Sequence, residues 1–198
     1  KWSRAACMAM ILKNEIVMRR MLKFILMMCC AALLCGCSNI KLRRQMKDFM
    51  AHKIVLPQEL MEICDGRTRP VCVSVDSPML ILFYGKNECS LCAINHLADD
   101  LDEIKMVEKS GQCKVLILFS LTTEDDQIEI PEQIRESKFS FPIYLDLYGD
   151  FYRYNAEFPN DERFHSFLVG TDGYPVFIGN PLKDSRLRKV FNETLENI

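Results

Sequence analysis

What the chain has little of narrows the reading first. Its main apolar run, Phe24 to Leu34, is only eleven residues long, and a bilayer-spanning helix needs roughly 20. There is no internal repeat and no low-complexity tract, which argues against a stacked-repeat architecture. A basic excess is also missing: 25 Lys and Arg stand against 27 Asp and Glu in 198 residues. Six of the basic residues and one acidic residue lie upstream of Cys37, so the remainder carries 19 against 26. A segment about seven charges negative argues against a nucleic-acid partner. Tryptophan is confined to Trp2, and no proline occurs from Asn160 through Gly173.

What is present begins with an export pattern. Residues 1–17 read as an upstream extension, because the chain opens on Lys1 and a basic n-region, Met18-Arg19-Arg20-Met21-Leu22-Lys23, follows. The run from Phe24 to Leu34 then has the length of a signal h-region. Leu34-Cys35-Gly36-Cys37 resembles the lipobox of bacterial lipoproteins, with Cys35 as a departure from the usual small residue there. The resemblance implies a signal peptide over 18–36, cleavage before Cys37 and acylation of Cys37. Acyl chains on one cysteine would anchor the protein to a membrane of the cell envelope. The domain would then face the periplasm or the cell surface, where disulfides form and persist.

Residues 37–53 form a basic, Met-containing stretch with helical spacing at Leu42, Met46, Phe49 and Met50. It reads as a tether, as a surface helix on the membrane, or as a short helix packed on the domain. A single domain is expected over 54–198, a length sufficient for a real core. Asp65 to Pro70 reads as a turn, and Val71 to Val75 and Met79 to Tyr84 read as strands. Ile94, Leu97, Leu101, Ile104 and Val107 recur at helical spacing up to Gly111. Val115 to Phe119 has the continuous apolar character of a buried central strand. Thr123-Glu124-Asp125-Asp126 reads as a solvated loop, with a helix opening at Pro131. Phe141 to Asp146 is a further strand, and Tyr148 to Asn155 a helix or irregular segment. Gly170-Thr171-Asp172-Gly173 marks a hairpin between Phe164 to Val169 and Tyr174 to Ile178, and an amphipathic helix runs from Asp184. Strands alternating with helices, then a hairpin and a closing helix, give an α/β fold with a mixed central β-sheet flanked by helices on both faces.

Chemistry concentrates at Cys89-Ser90-Leu91-Cys92, where the strand ending at Tyr84 runs into a helix-patterned stretch. Two thiols at the first turn of a helix can form one small disulfide and open it again, and the helix N-terminus favours a thiolate on the first. The second is placed to resolve a mixed disulfide. This order resembles thioredoxin, and more closely the exported TlpA-like redoxins and the thioredoxin-like lipoproteins of Bacteroidetes. The segments that carry the resemblance are Leu80 to Cys92, Phe141 to Asp146, Phe167 to Gly173 and the ending Gly179-Asn180-Pro181. It implies a thioredoxin-like fold and a lipid-anchored thiol-disulfide oxidoreductase, with Cys89 attacking and Cys92 releasing. Its partners would be exported proteins with disulfides or thiols and a separate redox partner. The alternative is a non-catalytic thioredoxin-fold lipoprotein that binds a protein partner and keeps a static disulfide.

Two departures bear on the choice. The family places a cis-proline opposite the pair, at about Phe164 here, and no proline stands there. Glu88 replaces the tryptophan before the first cysteine, and its charge opposes thiolate formation. Arg163, Phe164 and His165 are expected in the loop facing Cys89, with Phe164 and His165 taking the place of the proline. Cys64 and Cys72 flank a turn-rich segment and read either as a second disulfide or as unpaired thiols, while Cys113 reads as an inert core thiol. His96, one turn after Cys92, and His165 invite copper or zinc on the two thiolates. The bland reading makes them surface and packing residues, and no metal or cofactor is expected. A peroxidase would want Thr three residues before its cysteine, and Lys86 stands there.

Overall fold

The computed structural model describes residues 18, 19, 21, 23, 27, 40–85 and 89–198. The expected h-region (apart from Met27), the lipobox with Cys37, and Lys86 and Glu88 lie outside the described residues. Two compact units divide the chain, Lys1–Gln45 and Met46–Ile198. In the first, all described residues are helical. Among the described residues no helix is long and apolar enough to cross a membrane.

In the second unit residues 46–50 are helical (α1). The elements that follow are β1 (Leu60–Cys64), β2 (Arg67–Val71), β3 (Met79–Tyr84), α2 (Ser90–Asp99), α3 (Leu101–Lys109), β4 (Lys114–Ser120) and α4 (Glu124–Ser137). Then come β5 (Ile143–Asp146), α5 (Asp150–Tyr154), a 3-10 turn (Glu162–Phe164), β6 (Ser166–Val169), β7 (Pro175–Ile178) and α6 (Ser185–Leu195). Among the described residues one sheet holds seven strands in the order β2-β1-β5-β4-β3-β6-β7. β4 runs parallel to β3 and β5, while β6 and β7 close the other side antiparallel. This is the mixed α/β sheet the sequence implies.

Alternation along the central strands sends side chains to two cores. Leu80 and Leu82 of β3 and Ile117 and Phe119 of β4 join Ile94 and Leu97 of α2, Ile104 of α3, Ile130 and Ile134 of α4 and Phe191 of α6. Phe83 points to the opposite face, where it meets Phe151 of α5 at 4.6 Å and Phe158 at 4.9 Å between ring centroids. Burial on both faces explains why β3 and β4 read as unbroken apolar runs.

Three expectations are corrected here. First, Asp65 and Gly66 alone make the β1–β2 turn, both with positive φ (48° and 73°), as a two-residue primed turn requires. β2 therefore starts at Arg67, and Cys64 pairs with Arg67 while Leu60 pairs with Val71. Cys72 follows Val71, so it lies roughly 17 Å along the hairpin from Cys64 at about 3.4 Å per residue. A disulfide needs Cα atoms within about 7 Å, and both thiols are free.

Second, the acidic run is the first turn of α4. Thr123 Oγ1 accepts from the Asp126 N–H at 3.1 Å, and Asp126 Oδ2 accepts from the Thr123 N–H at 3.2 Å. This reciprocal cap satisfies two orphan donors, and three carboxylates sit at the positive helix end. Pro131 lies inside that helix. Third, the helical spacing after the cysteines belongs to two helices, because Asp100 (φ −89°, ψ 2°) breaks the run between α2 and α3.

The compact unit begins at Met46, ahead of Ile54. Phe49, 3% exposed, packs edge-on against Phe158, Phe164 and Phe167 at 5.6, 5.8 and 5.2 Å. Downstream, Asn155 grips Val55 through two hydrogen bonds, accepting from its N–H and donating to its carbonyl, each 2.8 Å. Buried Asp146 starts α5 by accepting from the N–H groups of Asp150 and Phe151 and from the Ser120 hydroxyl.

Candidate redox site

Cys89 has extended dihedrals (φ −68°, ψ 106°) and is the N-cap of α2. Its Sγ accepts from the Cys92 N–H at 3.3 Å, and its carbonyl accepts from the Ala93 N–H at 2.9 Å. Sulfur thus takes the place of the Ser, Thr or Asp oxygen that ordinarily caps a helix. Ala93, Ile94 and Leu97 face the core, which leaves Leu91, Cys92 and His96 exposed on the outer face. Cys89 and Cys92 are joined as a disulfide with Cα atoms 5.2 Å apart. On opening, a Cys89 thiolate would sit against unsatisfied helical N–H groups carrying roughly half a positive charge.

An open groove of about 380 Å³ runs beside the pair. It is lined by Cys89, Cys92 and His96, by Phe83 and Tyr84 from the end of β3, and by Glu162, His165, Asn180 and Lys183. The sheet explains the meeting. β6 lies antiparallel to β3, the strand that delivers the cysteines, and the His165 carbonyl accepts from the Phe83 N–H at 2.7 Å.

Of the three loop residues expected to face Cys89, His165 is among the groove's lining residues and Arg163 and Phe164 are not. His165 lines the groove, its ring edge-on to Phe83 at 5.3 Å and stacked on Phe158 at 5.4 Å. Nε2 is 3.2 Å from the Pro159 carbonyl; a carbonyl only accepts, so this contact places the proton on Nε2. Phe164 is 1% exposed and turns the other way, onto Phe49. The cause is local: a 3-10 turn separates consecutive side chains by about 120°, so Phe164 and His165 cannot share a side.

The loop is held closed by its own hydrogen bonds. Asp161 Oδ1 accepts from the Arg163 N–H at 3.1 Å, and the Asp161 and Glu162 carbonyls accept from the N–H groups of Phe164 and His165. The Arg163 guanidinium, bound to the same carboxylate, holds Asp161 down at about 2. Among the described residues there is no cis peptide bond.

His96 and His165 both reach the groove, but among the described residues no group of three or more His, Cys, Asp and Glu is placed to hold a metal ion. Cys113 is buried in the main core, where desolvation raises its thiol to about 11. Burial and the carboxylates of Asp65 and Glu62 push Cys64 up as well. Neither stands at the N-terminus of a helix, as Cys89 does. Sequence reasoning missed Glu162 and Lys183. The only signal for Lys183 was its position just after Gly179-Asn180-Pro181, and Glu162 carried none beyond adjacency to the expected loop.

No protein-family model matches the chain, and no curated protein is significantly similar to it. Among solved structures the chain is similar to a thioredoxin-like protein in its oxidised form, at 21% identity and a TM-score of 0.41, over 62% of this chain and 80% of that one. It is similar to AhpC of Enterococcus faecalis at 15% identity and a TM-score of 0.44, over 71% and 89%. It is also similar to an uncharacterised thioredoxin-like protein of Porphyromonas gingivalis, at 18% identity and a TM-score of 0.36, over 71% and 90%.

Proposed function

We propose that the protein is a thiol-disulfide oxidoreductase acting through Cys89 and Cys92. One observation carries the reading: the disulfide sits at the N-terminus of α2 with both cysteines exposed on a groove. A disulfide kept only for stability gains most by closing a long loop in the core; this one closes four residues at the surface. In the reduced state the Cys89 thiolate attacks a substrate disulfide, one substrate thiol leaves, and Cys92 then displaces the second. Two substrate thiols form and the Cys89–Cys92 disulfide is regenerated. In this proposal the enzyme is lipid-anchored through Cys37 in the cell envelope and of the TlpA-like, exported kind, a reading that rests on the n-region, h-region and lipobox-like residues alone.

The rival reading is a non-catalytic binding module with a static disulfide. The closed loop at 162–165 favours it, since a redoxin that pairs with an extended substrate needs free backbone there. Equilibration with glutathione buffers separates the two. A working pair should show a potential between roughly −270 and −120 mV, whereas a static structural disulfide should lie below about −300 mV.

A further inference from the structure

The proposed chemistry needs a substrate that fits the groove, and the loop closure limits what that is. Strand addition requires an edge with unpaired N–H and C=O groups. Here the N–H groups of Arg163, Phe164 and His165 and the carbonyl of His165 are all bonded within the chain. The next carbonyl, that of Ser166, accepts from the Gly179 N–H at 2.7 Å. These groups are therefore not open to pairing with an extended polypeptide.

What remains is a concave site of about 380 Å³, within the range of small-molecule pockets. Among the described residues that line it, one acid and one base carry charge, Glu162 and Lys183. Glu162 is exposed, and Lys183 is half-exposed and only loosely tied to Asp100 at 3.8 Å. A ligand with an ammonium and a carboxylate close to its sulfur complements both.

We propose that this groove takes a small zwitterionic disulfide of the amino-acid type, with Lys183 receiving the carboxylate and Glu162 the ammonium. The inference rests on the redox reading above and names the substrate class for that site. The Cys89 thiolate attacks one sulfur of R–S–S–R, and the first R–S⁻ leaves and takes a proton from solvent. Cys92, its proton lost to solvent, attacks the Cys89 sulfur and expels the second R–S⁻, which is protonated in turn. One disulfide becomes two thiols while the enzyme dithiol becomes the Cys89–Cys92 disulfide. A dithiol donor, dithiothreitol in the assay, returns the two electrons and two protons.

The test compares kcat/KM for cystine, for neutral hydroxyethyl disulfide and for a disulfide-bearing unfolded polypeptide, with uncatalysed rates subtracted. Cystine should exceed hydroxyethyl disulfide by about tenfold or more. Lys183→Met and Glu162→Gln should each lower that ratio several-fold, chiefly through KM for cystine. A ratio near one, a ratio unmoved in both variants, or faster turnover of the unfolded polypeptide than of cystine would overturn the proposal. Turnover of hydroxyethyl disulfide with no preference for cystine defeats this inference alone. No turnover of any disulfide defeats the redox reading and this one with it.

Discussion

Replacing Phe49 by alanine probes a contact that ties the start of the compact unit to the wall of the groove. Phe49 is 3% exposed and meets three phenyl rings edge-on, among them Phe164, the residue next to His165. Phe→Ala at such a site costs about 3–5 kcal/mol through lost burial and the cavity left behind. The three ring contacts, at ~0.5–1.5 kcal/mol each beyond area, overlap with that figure rather than add to it. With a urea m-value of roughly 2 kcal/mol per molar, a loss of ~3–4 kcal/mol moves the midpoint down by about 1.5–2 M. Phe49→Leu, which refills most of the space, should lose no more than about half as much. The assay is equilibrium urea unfolding of the oxidised protein, followed by far-ultraviolet circular dichroism. If residues 46–53 were a plain tether, both variants would stay within ~0.5 kcal/mol of the parent, as surface substitutions do. That outcome would refute the packing argument and detach Phe164 from its anchor.

His165 lines the same groove as the cysteines, so His165→Ala should change the rate at which reduced Cys89 is alkylated; an unchanged rate would mean that His165 does not act on the thiol. In native labelling at pH 8.5, Cys72 should react quickly. Cys113, buried and raised to about 11, should react only on unfolding; early labelling of Cys113 would contradict its place in the core. Its raised folded value also means that stability declines as pH rises from the ordinary thiol range towards 11, because the unfolded chain ionises first. Thr123→Ala removes the reciprocal cap of α4 and should cost ~1 kcal/mol in the same urea assay. A loss near zero would return the acidic run to a loop. Cys37→Ala should block lipidation, leaving the protein uncleaved or released from membranes; correct processing and membrane fractionation of this variant would remove the anchor from the proposal.

The parts of the fold set by local pattern were readable in the residues, and the parts set by distant packing were not. The apolar runs of β3 and β4, the Gly170 to Gly173 hairpin and the Asp184 start of α6 are local signals, and each stands where it was expected. The cysteine pair was legible for the same reason, since β3 ends and α2 begins within a few residues of each other in sequence. Phe49 was ambiguous because helical spacing in a basic stretch is the same whether the apolar side meets a membrane or a core. The Thr123 and Asp126 cap was masked by Pro131, which looked like a first-turn proline but occupies the helix interior. Cys64 and Cys72 looked pairable because a turn-rich segment separates them; the hairpin register, set by a turn of only Asp65 and Gly66, carries them apart. The division of Phe164 and His165 between core and groove depends on the 3-10 turn, which the strand-like pattern from Phe164 to Val169 concealed.

The central claim is that Cys89 attacks and Cys92 resolves. It is tested most directly by trapping with Cys92→Ser and Cys89→Ser, each expressed in the full chain and analysed on non-reducing gels with and without an added disulfide substrate. Loss of the resolving thiol strands the covalent intermediate, so Cys92→Ser should accumulate mixed disulfides that reductant releases, and Cys89→Ser should accumulate few or none. Equal absence of adducts in both variants would contradict the account and leave a static disulfide in a binding module.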